Sequence, residues 1–243
     1  VRGMTNSIAV LGVGPIRGLG AAIAKRFATD GFTVTIGGRD GARLESVAAE
    51  ISSFGGGPAT ALAVDVTDPA KVLAFFDQVD ETPDVVVYNA GNNQRIPFLD
   101  ITPEAFEDFW RTCCFGGFLV GQEAARRMLP RGRGTILFTG ASASRRGRPD
   151  FAHFAAGKAG LRMVAESMAR TFGPQGLHVG HVIIDGAIDG DRIHRLVPEV
   201  AAAKGADGLL GIDAIAETFW QLHHQHPSAW TMETELRPYK EPF

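Results

Sequence analysis

Short apolar runs alternate with helix-patterned stretches from one end of this 243-residue chain to the other, and that alternation leaves few folds open. Residues 8–11, 32–36, 60–66, 84–88, 134–139 and 178–184 read as strands, rich in Val, Ile, Leu and Phe. Between them, residues 20–28, 42–51, 69–79, 103–129, 151–172 and 214–223 repeat apolar residues at helical spacing. Pro69 stands at a first helical turn, and Gly116-Gly117 should interrupt the long fourth helix. The strands are nearly continuous apolar runs, the pattern of a parallel sheet covered on both faces. Strict β-α alternation without a linker predicts one domain over residues 1–243: an α/β, doubly wound parallel sheet of about seven strands, helices on both faces. Residues 229–233 are the expected last strand. The looser, charged segment 186–210, after the sixth strand, is the expected substrate lid.

Bulk properties narrow the function. A formal net charge of −3 gives no footprint for nucleic acid. No apolar run reaches the roughly 18 residues of a membrane-spanning helix, and residues 1–6 show no secretory pattern. Cys113 and Cys114 are adjacent, which disfavours an ordinary disulfide and points to a reducing cytoplasm. No metal ligand set is expected. The expected partner is a small-molecule substrate.

The turn after the first strand reads Gly14-Pro15-Ile16-Arg17-Gly18-Leu19-Gly20 and runs into a helix. Glycines let the backbone approach a pyrophosphate, which the helix N-terminus stabilises through free N–H groups and its dipole. The Gly-x-x-x-Gly-x-Gly spacing, Asn89-Ala90-Gly91 after the fourth strand, Asp65-Val66 after the third, and Lys158 resemble the short-chain dehydrogenase/reductase family along nearly the whole chain. The resemblance implies a Rossmann-type nicotinamide dinucleotide site formed by Gly14, Ile16, Arg17, Gly18, Leu19, Gly20, Arg39, Asp65, Val66, Asn89, Ala90, Gly91 and Lys158, with Gly186 and Ile188 closing it. An acidic residue at the end of the second strand would bind the ribose hydroxyls of NAD. Gly37-Gly38-Arg39 stands there instead, and Arg39 with Arg17 favours the 2′-phosphate of NADP(H).

The same resemblance implies an Asn-Ser-Tyr-Lys tetrad, in which the tyrosine exchanges the substrate proton. Here the four positions read Cys113, Ala141, Phe154 and Lys158. The chain's two tyrosines, Tyr88 and Tyr239, lie elsewhere. The candidate catalytic set is therefore Lys158, Ser142, His153 and Asp185: His153 neighbours Phe154 and carries the imidazole that enzymes most often use for proton transfer, Ser142 (or Ser144) offers a hydroxyl, and desolvation could raise Asp185 enough to make it an acid. Asp189, Asn92, Asn93 and Cys113 are further candidates. The expected function is an NADP(H)-binding oxidoreductase of atypical mechanism, acting on a small carbonyl, alcohol or activated alkene. The alternatives are a non-catalytic NADP(H)-binding sensor or scaffold and a non-redox enzyme such as a dehydratase or hydrolase using Asp185 or His153. The family resemblance also implies a homo-oligomer, dimer or tetramer, with the tail from Arg237 onward able to reach a neighbour.

Overall fold

A computed structural model describes residues 6–241; the N-terminal stretch read for a leader and the last two residues of the tail lie outside them. The elements are β1 (Ser7–Leu11), α1 (Leu19–Thr29), β2 (Thr33–Gly38), α2 (Gly41–Ser53), β3 (Ala59–Ala63), α3 (Pro69–Asp77), β4 (Val85–Tyr88), α4 (Pro103–Trp110), α5 (Gly116–Met128), β5 (Gly134–Thr139), α6 (Ala152–Phe172), β6 (Leu177–Ile184), β7 (Ile188–Asp189), α7 (Asp191–Leu196), α8 (Pro198–Lys204), β8 (Leu210–Gly211), α9 (Ile212–His223) and β9 (Glu233–Leu236). The sheet has seven strands in the order β3-β2-β1-β4-β5-β6-β9, and every pairing in it is parallel. This is the doubly wound Rossmann-type α/β fold that the alternation predicts.

Successive strand residues feed opposite faces. In β1, Ile8 and Val10 join the core under α1, α2 and α9, while Ala9 and Leu11 join the core under α3, α5 and α6. Both faces are buried, which is why the strands look apolar throughout rather than alternating. Strand order reverses between β1 and β4, opening a crevice at their carboxyl ends where such folds bind ligands.

Three boundaries depart from the sequence reading. The long helix does not break at Gly116-Gly117; a π turn over Arg111–Phe115 precedes them, and α5 runs straight through the glycines. Their role is close approach: a Cβ on Gly116 would stand 2.5 Å from Tyr88 Oη, and one on Gly117 2.3 Å from Leu161 Cδ1. The Tyr88 hydroxyl donates to the Thr112 carbonyl within the widened turn. The last strand begins at Glu233, because residues 230–231 are held otherwise: Trp230 stacks on His178 with ring centroids 5.0 Å apart, and Thr231 N–H donates to Gln225 Oε1 at 2.7 Å. Segment 186–210 is more ordered than its composition suggests. It folds into α7, α8 and a two-stranded parallel ladder pairing Ile188 with Leu210. Residues 237–241 of the tail lie on their own chain's lid, with Lys204 Nζ 2.5 Å from Glu241 Oε2 and Lys240 Nζ donating to Ala206 O at 2.5 Å.

Candidate active site

The glycine loop is built by crowding. Gly12 (φ +96°) lets β1 cross against β4, since a Cβ there would stand 2.2 Å from Ala90 N; Gly20 is fenced by Gly12 O at 2.9 Å and Asn89 Nδ2 at 3.0 Å. Asn89 braces the crevice, donating from Nδ2 to Gly12 O at 2.9 Å and accepting from Thr139 Oγ1 at 2.9 Å. One side chain thereby ties the ends of β1, β4 and β5 together. Helix α1 starts from Gly18, with no side-chain cap and no acidic residue in its first turn. Its first N–H groups and positive dipole end face the crevice, while around Gly14 there is open space. That combination fits a pyrophosphate, which would supply the missing cap. Ile16 packs beneath the loop, against the core, and Leu19 and Gly20 are buried in the first turn.

Beyond the loop, Arg39 stands exposed at the end of β2 and makes no ion pair or hydrogen bond among the described residues. Asp65 accepts from Thr67 N and Oγ1 at 3.0 and 2.8 Å; these bonds hold its carboxyl below the usual range, with Lys71 and Arg39 adding to the effect. Val66 is buried beside it. These groups occupy the third-strand end of the crevice.

Lys158 is buried on α6, and its Nζ donates to Thr139 O at 2.7 Å. Desolvation lowers its pKa. A Cβ on Gly91 would stand 3.2 Å from that Nζ, so the Asn89-Ala90-Gly91 turn leaves the ammonium its path to the crevice floor. Cys113, Ala141 and Phe154 come together from three separate elements into one apolar cluster with Phe109 and Ala143. Cys113 Sγ lies 3.9 Å from Asn92 O, and the thiol is fully buried.

The substitute acids named from sequence are placed otherwise than expected. Asp185 is buried, but as an ion-paired carboxylate. Arg146 Nη2 donates to both of its oxygens at 2.9 and 3.0 Å, and Arg237 Nη2 donates to Oδ2. Both of its oxygens are therefore occupied by guanidinium donors. His153 is wholly buried on the inner side of α6. Its Nε2 faces Gln94 O at 3.0 Å, its ring packs edge-on against Phe109 at 4.3 Å, and its Nδ1 has no partner among the described residues. Asp189 pairs with His194 at 2.6 Å on the lid. Ser142, half-buried, makes no side-chain hydrogen bond among the described residues.

Sequence reasoning missed a buried polar chain beneath this cluster. Ala141 N–H donates to Ser144 Oγ at 3.1 Å, Ser144 Oγ lies 3.4 Å from His181 Nε2, and His181 Nδ1 lies 3.1 Å from Glu233 Oε2. Arg162 Nε closes it, donating to Glu233 Oε2 at 2.5 Å. Burial pushes His181 down to about 4, so a neutral ring donates from Nδ1 to Glu233 and accepts at Nε2 from Ser144. The order Ser-His-Glu is that of a nucleophilic triad, yet Ser144 is only 5% exposed and its oxygen is engaged by the Ala141 amide. The chain fixes the Ala141 turn from below. Only the burial of a histidine within β6 hinted at it, and burial is a tertiary fact.

Segment 186–210, the expected substrate lid, makes contact with both the glycine loop and the loop after β4. Asp191 N–H donates to Arg17 O at 2.9 Å, with Arg17 Nε 3.7 Å from Asp191 Oδ1. Arg192 Nη2 donates to Asn92 Oδ1 at 2.8 Å and to Asn93 O. Helix α7 therefore bridges the glycine loop and the loop after β4. Gly186 (φ +151°) packs against Pro238 and Leu210, and Ile188 packs into the core at the lid base.

Comparison with known proteins agrees with this architecture. The short chain dehydrogenase family profile matches residues 8–199. Gluconate 5-dehydrogenase of Gluconobacter oxydans is 31% identical over 169 residues, covering 68% of this chain and 66% of that protein, so the chain spans about two thirds of that relative's length. L-rhamnose 1-dehydrogenase (NAD(P)(+)) of Azotobacter vinelandii is 35% identical over 186 residues, covering 72% and 71%. A short-chain dehydrogenase from Rhodopseudomonas palustris superimposes with a TM-score of 0.81 at 40% identity, covering 96% of this chain and 99% of that one. The family is one of oxidoreductases that bind nicotinamide cofactors and act on small molecules. Among the described residues, no helix is long and apolar enough to cross a membrane. With the glycine loop, the Asn89 brace and the buried Lys158 in place, this chain belongs to the short-chain dehydrogenase family.

Proposed function

We propose that this protein is an NADP(H)-dependent oxidoreductase acting on a small carbonyl compound, alcohol or activated alkene without a tyrosine acid. The observation that carries the reading is a contrast within one site. The cofactor half is intact, with Lys158 seated and Asn89 bracing the crevice. The proton-transfer half is apolar, with Cys113, Ala141 and Phe154 in mutual contact. The exposed Arg39, which makes no ion pair or hydrogen bond among the described residues, supports NADP(H) over NAD, since a guanidinium forks onto phosphate oxygens.

When bound, the nicotinamide supplies or accepts hydride. The chain's own residues then do four things. The α1 N-terminus and Gly14–Gly20 loop hold the pyrophosphate. Lys158 holds a ribose hydroxyl through its ammonium, the part left to it without a tyrosine. Phe154 and Cys113 exclude water from one wall of the pocket. Ser142 offers a free hydroxyl at the edge of the Ala141 turn, where it can bond a substrate oxygen. An activated alkene suits such a site, because its proton arrives after hydride transfer and can come from water.

Single-turnover oxidation of bound NADPH against aldehydes, ketones, quinones and enones, with a Phe154→Tyr variant alongside, tests the reading. Turnover by the native protein supports it, with enones expected to lead. A positioned acid is worth about 10²–10⁴-fold, so Phe154→Tyr should raise carbonyl reduction by that order. Activity in the tyrosine variant alone refutes it and favours the second reading, a non-catalytic NADP(H)-binding protein, to which the apolar cluster also points. The non-redox reading loses its acids to the ion pairs of Asp185 and the burial of His153. We further propose that the protein is cytoplasmic and forms a homo-oligomer through the exposed Trp110, Phe118 and Met163 on the α4–α6 face; light scattering showing a monomer would refute the oligomer.

A further inference from the structure

Two arginines of the segment after β6, Arg192 and Arg195, make no ion pair among the described residues. Arg192 and Arg195 are one helical turn apart on α7, close enough for Arg195 to lower the pKa of Arg192, after the larger effect of Arg192's own desolvation. Like charges at this spacing destabilise a helix, and neither has a carboxylate partner among the described residues. Arg192 spends one nitrogen, Nη2, on the neutral oxygens Asn92 Oδ1 and Asn93 O, leaving its Nε and Nη1 protons without partners among the described residues. Arg195 makes no ion pair or hydrogen bond among the described residues. The nearest acids of the lid are engaged elsewhere, Asp191 with Arg17 and Asp189 with His194.

The guanidinium of Arg192 is also held in place. Its two bonds latch it to the loop whose Asn92 carbonyl lies 3.9 Å from Cys113 Sγ, and Cys113 packs with Phe154 and Ala141. A fixed fork of donors therefore sits at the mouth of the apolar pocket, beyond the residues that hold the cofactor. A guanidinium orients a carboxylate or phosphate through paired hydrogen bonds, and the latch removes much of the side-chain entropy such a contact costs.

We infer that Arg192, with Arg195, is an anion-recognition site for substrate: the molecule reduced or oxidised here has an apolar body, lying against Phe154, and a carboxylate or phosphate at its outer end. This rests on the oxidoreductase reading above for where the substrate lies. The same donors could meet a phosphate of the cofactor instead, and the two sources separate by experiment.

NADP+-loaded protein is titrated calorimetrically with carboxylic acids and their methyl esters, using an aliphatic, a monocyclic aromatic and a bicyclic aldehyde pair, in the native protein, the Arg192→Gln/Arg195→Gln variant and an Asn92→Ala variant. NADPH affinity is measured for each. The expected result is an acid bound at least about tenfold tighter than its ester by the native protein. That preference falls to near unity in the double variant, with NADPH affinity unchanged. It survives Asn92→Ala, which removes one latch bond but no charge, and that survival separates recognition from a merely structural lid contact. Native protein that prefers no acid over its ester overturns the inference alone. So does a double variant that loses NADPH affinity, which assigns the pair to the cofactor. Native protein that binds neither dinucleotide overturns the oxidoreductase reading as well.

Discussion

Acidification from pH 7 to pH 5 should destabilise this protein before its carboxylates begin to titrate. His181 is buried and His223 half-buried, and desolvation pushes each down to about 4 in the folded protein from an ordinary 6.5. The folded state thus keeps both rings neutral, while the unfolded chain takes up protons below about pH 6.5. Stability from these groups is fully present above that pH and is lost as pH falls toward 4. Each ring costs about 1.4 kcal/mol per pH unit in that window. Over the roughly 1.5 units between pH 6.5 and 5, that comes to about 2 kcal/mol per histidine, and about 4 kcal/mol together. His178, also lowered by burial, adds in the same direction. The lowered carboxyls of Asp65 and Glu233 lose their contribution only at more acid pH. Urea unfolding at pH 8, 7, 6 and 5, followed by far-UV circular dichroism, should show a flat midpoint down to about pH 6.5 and then a drop of about 1–2 M by pH 5. Replacing His223 by Gln removes one of the two titrations and should roughly halve the slope. A midpoint unchanged between pH 7 and pH 5 would refute the reasoning, because it requires rings that protonate as readily in the fold as in the open chain.

Two further outcomes follow from the site. Arg39→Ala should weaken NADPH binding about 10–100-fold while changing NADH affinity little, measured by nucleotide fluorescence; equal losses for both would remove the 2′-phosphate contact. Asp185→Asn removes the buried charge shared by Arg146 and Arg237 and should cost about 1–3 kcal/mol in urea unfolding, since Arg146 is partly exposed and Arg237 keeps Glu235. A variant of unchanged stability but slowed single-turnover hydride transfer would return Asp185 to the reaction.

The fold was legible because its determinants are local. Apolar runs such as Val85–Tyr88 and the glycines bounding Ile8 to Leu11 fix element type, and chirality rules then leave one way to wind a βαβ chain. The elements of the proposed cofactor site were legible for a related reason: Gly14–Gly20 and Asn89–Gly91 are contiguous turns at strand ends, and Lys158 stands at motif spacing on α6. Long-range pairing was not legible. Asp185 had the look of a desolvated acid until Arg146, 39 residues away, and Arg237, 52 residues away, closed on it. His153 was a candidate by its place beside Phe154, but its ring is fully buried, edge-on to Phe109 with Nε2 facing Gln94 O, a partner that only the fold brings to it. The Ser144–His181–Glu233–Arg162 chain and the Arg192 latch each join segments that only the closed sheet and the folded lid bring together. Sequence alone determined where the glycine loop and the Asn89–Gly91 turn stand at the strand ends, because turns are written in contiguous backbone. Tertiary structure decided which charges are neutralised, because a side chain's partner is set by where distant strands end.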